Sequence, residues 1–280
     1  MKLACRDHLL DLSEPCVMGV LNVTPDSFSD GGRYADVADA IERGVAMAGE
    51  GAAIIDVGGE STRPGAADVG LQEELERVVP VIEALVRRVR VPVSVDTSKP
   101  EVMQAAIAAG ASLVNDVKAL RAPGAVEAVA GTGAAVCLMH MQGEPRTMQE
   151  APSYGDVVGE VRQFLAGRVR ACVAAGIGRE RICVDPGIGF GKRPEHNLAL
   201  LSAIGRLADP DMPVLIGVSR KSLVGMITGR PPEGRLAGSV AFAALAVMGG
   251  AAIIRAHDVA ETVDAVKVAS ALKRAAAGGE

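Results

Sequence analysis

A short apolar run ending in a polar residue recurs along the chain, each clear copy entered from a glycine that closes an Ala-rich stretch. Gly51 leads into Ala53–Asp56, Gly110 into Leu113–Asn115, Gly133 into Ala135–His140 and Gly250 into Ala252–Arg255. Glycine suits the end of a helix because it enters left-handed φ without a Cβ clash. The runs do not alternate polar with apolar, as expected of strands buried on both faces. Eight such runs occur: Cys16–Leu21, Ala53–Val57, Val91–Val95, Leu113–Asn115, Ala135–Met139, Ile182–Val184, Val214–Val218 and Ala252–Arg255. Helical patterns follow at Asp36–Ala48, Leu71–Val89, Pro100–Ala109, Asp156–Ala175, His196–Ala208, Leu236–Met248 and Val259–Ala275, with a short one near Gly124–Ala130. Pro100 suits a first helical turn.

Strict alternation of strand and helix predicts a parallel sheet. Eight units in 280 residues predict the α/β class and a single (β/α)8 TIM barrel over 1–280, rather than an open doubly wound sheet. The helical pattern resumes only about 15 residues after the first and second runs, so the first and second βα loops are expected to be long, as functional loops often are.

Residues 236–254 carry no charge for 19 residues, a length that could span a membrane. The stretch is Ala-rich, holds Gly249-Gly250 and turns β-branched at Ile253-Ile254, so it reads as a buried helix, a glycine stop and a buried strand. The N-terminus has no signal-peptide pattern, and the chain is expected to be cytoplasmic. Net charge is −5 and aromatics are 2% with no Trp. Nucleic acid, which needs basic or stacking surfaces, is therefore not an expected partner. The five cysteines (Cys5, Cys16, Cys137, Cys172 and Cys183) include no CxxC, which argues against structural zinc or a disulfide framework. Cys16, Cys137 and Cys183 read as small buried hydrophobes.

Active sites of such barrels lie at the C-terminal ends of the strands. The residues there are Asn22, Asp56, Asp96, Asn115, His140, Asp185, the cluster Ser219-Arg220-Lys221, and Arg255 with His257. Polar strand ends alone would explain one or two of these, not their convergence on one rim. Asp56 is the weakest member of this rim and could instead support the loop after it; His140 could equally be a packed barrel residue. His8 and His196 read as surface or capping residues. Gly187-Ile-Gly189-Phe-Gly191-Lys192 misses a Walker pattern because Pro186 and Arg193 stand at required positions. Gly217-Val-Ser219-Arg-Lys221 misses a nucleophile elbow at its last glycine.

Two carboxylates, a carboxamide and a lysine suit a planar heterocycle with several N–H donors and a carbonyl. Asp185 can accept two parallel N–H bonds, and Asn115 can donate and accept. Arg255 can bond in bidentate fashion or stack on a ring. Arg63, Arg255 and His257, with Thr62 and Asn22, suit a phosphate group. Asn22 offers the hard oxygen that Mg²⁺ prefers.

Met18-Gly-Val-Leu-Asn22-Val-Thr24-Pro25-Asp26-Ser27-Phe28-Ser-Asp30-Gly-Gly32 and Asp56-Val-Gly-Gly-Glu60-Ser-Thr62-Arg63-Pro64-Gly65 resemble two signatures of the bacterial dihydropteroate synthases. Ser94-Val-Asp96-Thr, Asn115-Asp116, Asp185-Pro-Gly187-Ile-Gly-Phe190-Gly-Lys192, Ser219-Arg-Lys221-Ser222 and Arg255-Ala-His257-Asp258-Val follow in that family's order. Departures are Lys118-Ala119 where Ser-Gly is common, Ile188 where Phe is common and Ala256 where Val is common. The resemblance implies condensation of 6-hydroxymethyl-7,8-dihydropterin diphosphate with 4-aminobenzoate to 7,8-dihydropteroate and pyrophosphate, with Mg²⁺ held at Asn22. It implies that Asp96, Asn115, Asp185 and Lys221 hold the pterin beside Gly217, that Val117 and Met139 line its pocket, and that Arg255 covers its face. Asn22, Thr62, Arg63, Arg255 and His257 would take the diphosphate. Phe28, Arg63, Pro64, Phe190, Lys221 and Ser222 would form the aminobenzoate site when loops Val23–Arg33 and Glu60–Gly70 close. Asp96, Asp185, Lys221, Arg255, His257 and Arg63 would carry catalysis by dissociative C–O cleavage. Sulfonamides as competitors and a homodimer are also implied. The alternatives are a methyltetrahydrofolate–corrinoid methyltransferase, which would not need Thr62-Arg63-Pro64 or Ser219-Arg-Lys221-Ser222, and a non-catalytic homologue acting as a binding partner.

Overall fold

Among the described residues eight parallel strands form one sheet: β3 (Cys16–Asn22), β4 (Ile54–Gly58), β5 (Val93–Asp96), β6 (Leu113–Asp116), β7 (Ala135–Met139), β8 (Ile182–Asp185), β9 (Leu215–Gly217) and β10 (Ile253–Ala256). They pair in the order β8-β7-β6-β5-β4-β3-β10-β9. A parallel bridge between Val184 and Val214 joins β8 to the β9 side, so the sheet closes into a (β/α)8 barrel. The computed structural model describes residues 1–23, 33–61, 68–144 and 147–277. Helices α1 (Arg33–Gly49), α2 (Leu71–Arg88), α3 (Pro100–Ala108), α4 (Ala125–Val129), α5 (Val157–Ala174), α6 (Pro194–Ser202), α7 (Ser222–Thr228), α8 (Leu236–Met248) and α9 (Val259–Ala277) lie between and after the strands. Every barrel strand matches a sequence-predicted run within two residues at each end. Gly51, Gly110, Gly133 and Gly250 all take positive φ, as their place after a helix requires. The uncharged stretch is α8, the Gly249-Gly250 stop and β10, and among the described residues no helix is long and apolar enough to cross a membrane.

Three departures have local causes. The predicted helix His196–Ala208 is α6 followed by a 3₁₀ turn at Ile204–Arg206, because Pro194 supplies an earlier first turn. His196 caps that turn, its Nδ1 accepting from the Arg193 N–H at 3.2 Å. The seventh unit carries an extra helix, α7, ended by Gly229 in the left-handed region. Before the barrel, an antiparallel hairpin pairs β1 (Lys2–Cys5) with β2 (His8–Asp11); its strands are too short to show a period. Leu3, Cys5 and Leu12 pack with Met18, Ile54, Leu113, Cys137, Cys183, Leu215 and Ile253. The hairpin thus floors the barrel, tied down by Arg6, which donates to the carbonyls of Ile107 at 2.7 Å and Ala111 at 3.3 Å. The cysteines of this layer are free, and burial pushes the Cys5 and Cys16 thiols up to about 12.

Strand alternation sends successive side chains to opposite faces. Val114, Val136, Leu138, Ile182, Val184 and Ile254 join the larger core shared with the helices, while their neighbours fill the barrel. The Asn115-Asp116 pair divides in this way. Asn115 faces the interior. Asp116, fully buried, accepts from Ser98 Oγ at 2.5 Å and from the N–H groups of Lys118 at 2.8 Å and Leu120 at 2.7 Å. These bonds, with Arg168 donating to the carbonyls of Ala119 and Leu120, hold Ala119 and Leu120 at φ +55° and +54°. Ala119 carries a Cβ in this left-handed region, which favours glycine, so the turn depends on this scaffold. Asp116→Ala is expected to lower the unfolding free energy by about 2–3 kcal/mol, the scale of losing bonds to a buried acceptor. Urea denaturation measures it, and a loss below about 0.5 kcal/mol would contradict the assignment.

Candidate active site

Register places the interior polar residues at one level. Asn22 pairs with Gly58 and Gly58 with Asp96; Asp96 pairs with Asn115; Met139 pairs with Asp185; Gly217 pairs with Arg255. These positions are the last residues of their strands or next to last, so the rim inferred from sequence exists. Asp96, Asn115 and Asp185 are buried there.

Asp56 lies at the centre of this arrangement and is fully buried. Its Oδ2 accepts from Asn115 Nδ2 at 2.9 Å and from Arg255 Nε at 2.7 Å. Arg255 also donates from Nη2 to Asp96 Oδ2 at 2.7 Å. Asp56 therefore orients two rim side chains, so it belongs to the rim and not to the loop that follows it. The cause is strand alternation: Asp56 points inward, away from the backbone that follows. Its Oδ1 has no hydrogen-bond partner among the described residues.

Asp96 is pushed up to about 7, first by burial, which outweighs the Arg255 guanidinium, with Asp56 adding to the rise. Because the folded value lies above that of an unfolded aspartate, the stability conferred by the neutral form is complete at low pH. It is lost as pH rises through about 7. A ligand whose N–H groups bond the ionised carboxylate would offset that loss. Burial also raises Asp185, opposed by Lys221, by the Gly187 N–H at 2.7 Å, by Lys192 and by Arg255.

Lys221 caps α7 from the end of β9. Its Nζ donates to the Ile188 carbonyl at 2.5 Å and sits 4.6 Å from the centre of the Phe190 ring. Burial pulls it down to about 8 against the attraction of Asp185. Gly217, buried beside it, leaves the space between Lys221 Nζ and Arg255 without a side chain. Phe190 packs on a cluster of Val117, Met139, Met141 and Met148, so the residues proposed to line the pterin and aminobenzoate sites form one apolar wall. Ser222 is exposed at the start of α7. Arg220, at φ +58°, makes the turn that sends Lys221 inward. Its N–H bonds Ser239 Oγ at 2.9 Å, Arg235 bonds its carbonyl at 3.0 Å, and its guanidinium pairs with Asp258. His257 meets Ser219 Oγ through its backbone N–H at 3.2 Å and its Nδ1 at 3.1 Å. The loops after β9 and β10 are thus joined side by side, a link that adjacency of those strands explains and sequence spacing does not reveal. Asn22 Oδ1 lies 3.7 Å from where a Cβ on Gly58 would stand, so the missing side chain leaves that oxygen open. His140 is buried away from the rim, its ring 4.9 Å from Phe164 in an edge contact. Phe28, Thr62, Arg63 and Pro64 lie outside the described residues.

A closed (β/α)8 barrel whose C-terminal mouth sets two raised carboxylates and a carboxamide against a half-buried arginine and lysine defines an enzyme for a planar polar small molecule. Residues 18–257 match the family described as pterin binding enzyme. The chain is 53% identical over 271 residues to the dihydropteroate synthase of Escherichia coli, covering 97% of this chain and 96% of that relative. The structure of Xanthomonas albilineans dihydropteroate synthase with 4-aminobenzoic acid superposes with TM-score 0.91 at 53% identity, covering 97% of this chain and 98% of that one. That of Burkholderia cenocepacia dihydropteroate synthase complexed with 7,8-dihydropteroate does so with TM-score 0.90 at 51% identity, covering 99% and 98%. The chain belongs to the pterin-binding enzyme family and, within it, to the dihydropteroate synthases.

Proposed function

We propose that this chain condenses 6-hydroxymethyl-7,8-dihydropterin diphosphate with 4-aminobenzoate, releasing 7,8-dihydropteroate and pyrophosphate, as one catalytic domain over 1–280. The observation that carries the reading is the pair of buried carboxylates, Asp96 and Asp185, facing Asn115, Lys221 and Arg255 at the mouth of the barrel. Asp185 and Asp96 accept the pterin N–H groups, Asn115 and Lys221 meet its remaining polar edge, and Val117 and Met139 contact its ring. Arg255 reaches the pterin face after giving up part of its pairing with Asp56 and Asp96. Asn22, Thr62, Arg63, Arg255 and His257 take the diphosphate. Phe28, Arg63, Pro64, Phe190, Lys221 and Ser222 receive the aminobenzoate, and sulfonamides compete there.

Breaking the C–O bond leaves positive charge on the pterin and negative charge on the diphosphate. Asp96 and Asp185 stabilise the first, and Arg63, Arg255 and His257 the second, through preorganised contacts. The aniline nitrogen of 4-aminobenzoate then attacks the carbon, forming the C–N bond, and its proton passes to water or the departing pyrophosphate, so no strong base is needed. The open oxygen of Asn22 suits Mg²⁺, which takes oxygen ligands and keeps several waters or phosphate oxygens; when bound it would neutralise diphosphate charge. We also propose a cytoplasmic homodimer. Met226 and Ile227 on α7, Leu245 and Met248 on α8, and Val268 and Leu272 on α9 are exposed apolar residues on consecutive helices, and such patches mark association surfaces.

Since the aminobenzoate site shares Arg63 with the diphosphate and is completed only once the diphosphate is bound, its ligand should bind second. Calorimetry is expected to detect 4-aminobenzoate binding only with pyrophosphate or the pterin diphosphate present. Tight binding to the free protein would contradict this order.

A further inference from the structure

We propose that Lys192, at the end of the glycine-rich segment after β8, is a positioning residue that holds Asp185 and Lys221 in place from behind the rim. The inference rests on the function proposed above and adds a residue to it.

Lys192 is 3% exposed. Its Nζ donates to the carbonyls of Gly187 at 2.9 Å, Phe190 at 2.9 Å and His140 at 3.2 Å, and meets His140 Nδ1 at 3.0 Å. Among the described residues no carboxylate pairs with it, although an unpaired buried charge is costly. Each contact leads to the rim in one step. The Gly187 N–H bonds Asp185 Oδ1, and the His140 N–H bonds the Asp185 carbonyl at 2.9 Å. Phe190 carries the ring beneath Lys221 Nζ, and Ile188, between the tethered carbonyls, accepts from Lys221. Gly187 has φ +69°, and a side chain there would overlap the His140 carbonyl oxygen. The segment is therefore folded tightly around one ammonium.

The same ammonium adds a third positive charge to those of Lys221 and Arg255 that act on Asp185. The groups facing Lys192 are Asp185 from β8, Lys221 from the end of β9 and His140 from the end of β7. Burial brings Lys192 down to about 7, with Asp185 pulling the other way. His140 is held near 3 by burial and then by Lys192, with Arg121 a smaller contributor. Its imidazole is thus neutral, and Nδ1 accepts from the ammonium. Phe164 and Tyr154 wall the pair, and Tyr154 bonds the Gly191 carbonyl at 2.8 Å.

Carboxyl-carbon NMR of the unliganded protein tests the electrostatic half directly. In Lys192→Met the Asp185 titration midpoint is expected about 1 pH unit higher than in the parent, and the acid limb of 6-hydroxymethylpterin binding should move with it. Asn197→Ala is the control. Asn197 also ties this segment, accepting from the Gly189 N–H at 2.8 Å, but carries no charge, so it should leave the midpoint in place. An unchanged midpoint in Lys192→Met, or an equal shift in Asn197→Ala, overturns the proposal. If Lys192→Met does not fold, the Lys192 Nζ titration in the parent protein decides, since linkage is reciprocal. Saturating 6-hydroxymethylpterin should raise its midpoint, and no movement overturns the proposal. Failure of the pterin to bind the parent protein would instead count against the proposed function, while the Asp185 titration still judges Lys192.

Discussion

Asp185→Asn is expected to lower kcat at saturating substrates by about 10²-fold or more, the scale of losing one preorganised charge contact. The substitution keeps the shape of the side chain and an oxygen to accept from the Gly187 N–H. It removes the negative charge that faces Lys221, Lys192 and Arg255. With that oxygen on the Gly187 N–H, the amide NH2 meets a pterin N–H where the second carboxylate oxygen accepted, so KM should rise as well. The fall in kcat with both substrates saturating reports the lost charge, apart from the weaker binding. Steady-state kinetics with both substrates saturating measures it, and near-normal turnover would remove Asp185 from the charge-stabilising role.

The second large effect is expected at Asp56, which need touch no substrate. Asp56→Ala removes the acceptor of both Asn115 and Arg255. Two opposing terms govern stability. Two hydrogen bonds to a buried carboxylate are lost, at about 1.5–3 kcal/mol each. Asp56 also raises Asp96 by repulsion, and its Oδ1 is unpartnered, so deletion relieves both. The net loss should be about 1–3 kcal/mol, with Arg255 still paired to Asp96. Activity should suffer more, because displacing groups by about 1 Å can cost 10²-fold. We expect kcat/KM to fall about 10²-fold and Asp96 to ionise at lower pH than in the parent. A kcat/KM within a few-fold of the parent would show that Asn115 and Arg255 hold their places without it.

The barrel was legible because its strands are buried on both faces and its helices end in glycine; neither signal needs tertiary knowledge. The rim was legible for a related reason: an apolar run that stops at Asp96, Asn115 or Asp185 declares its own end. What escaped detection depends on direction or contact. Asp56 was on the rim by sequence, but its bonds to Asn115 and Arg255 join three separate strands and could not be read from spacing. Asn115 and Asp116 are adjacent and face opposite ways, one toward the mouth and one into the scaffold of a turn. Lys192 reads as part of a failed phosphate-loop pattern, and only the folded segment shows three carbonyls converging on it. The hairpin floor could not be read because four-residue strands carry too little pattern, although Leu3 and Cys5 close the bottom of the barrel. The link between Arg220 and Asp258 joins loops that are distant in sequence and neighbours only because β9 pairs with β10.

Pyrophosphate release measured with and without 4-aminobenzoate tests the central claim most directly. With the pterin diphosphate and Mg²⁺ supplied, the account predicts sustained pyrophosphate release only when 4-aminobenzoate is present, one molecule for each 7,8-dihydropteroate formed. Equal release without 4-aminobenzoate, or none with it, would contradict the account.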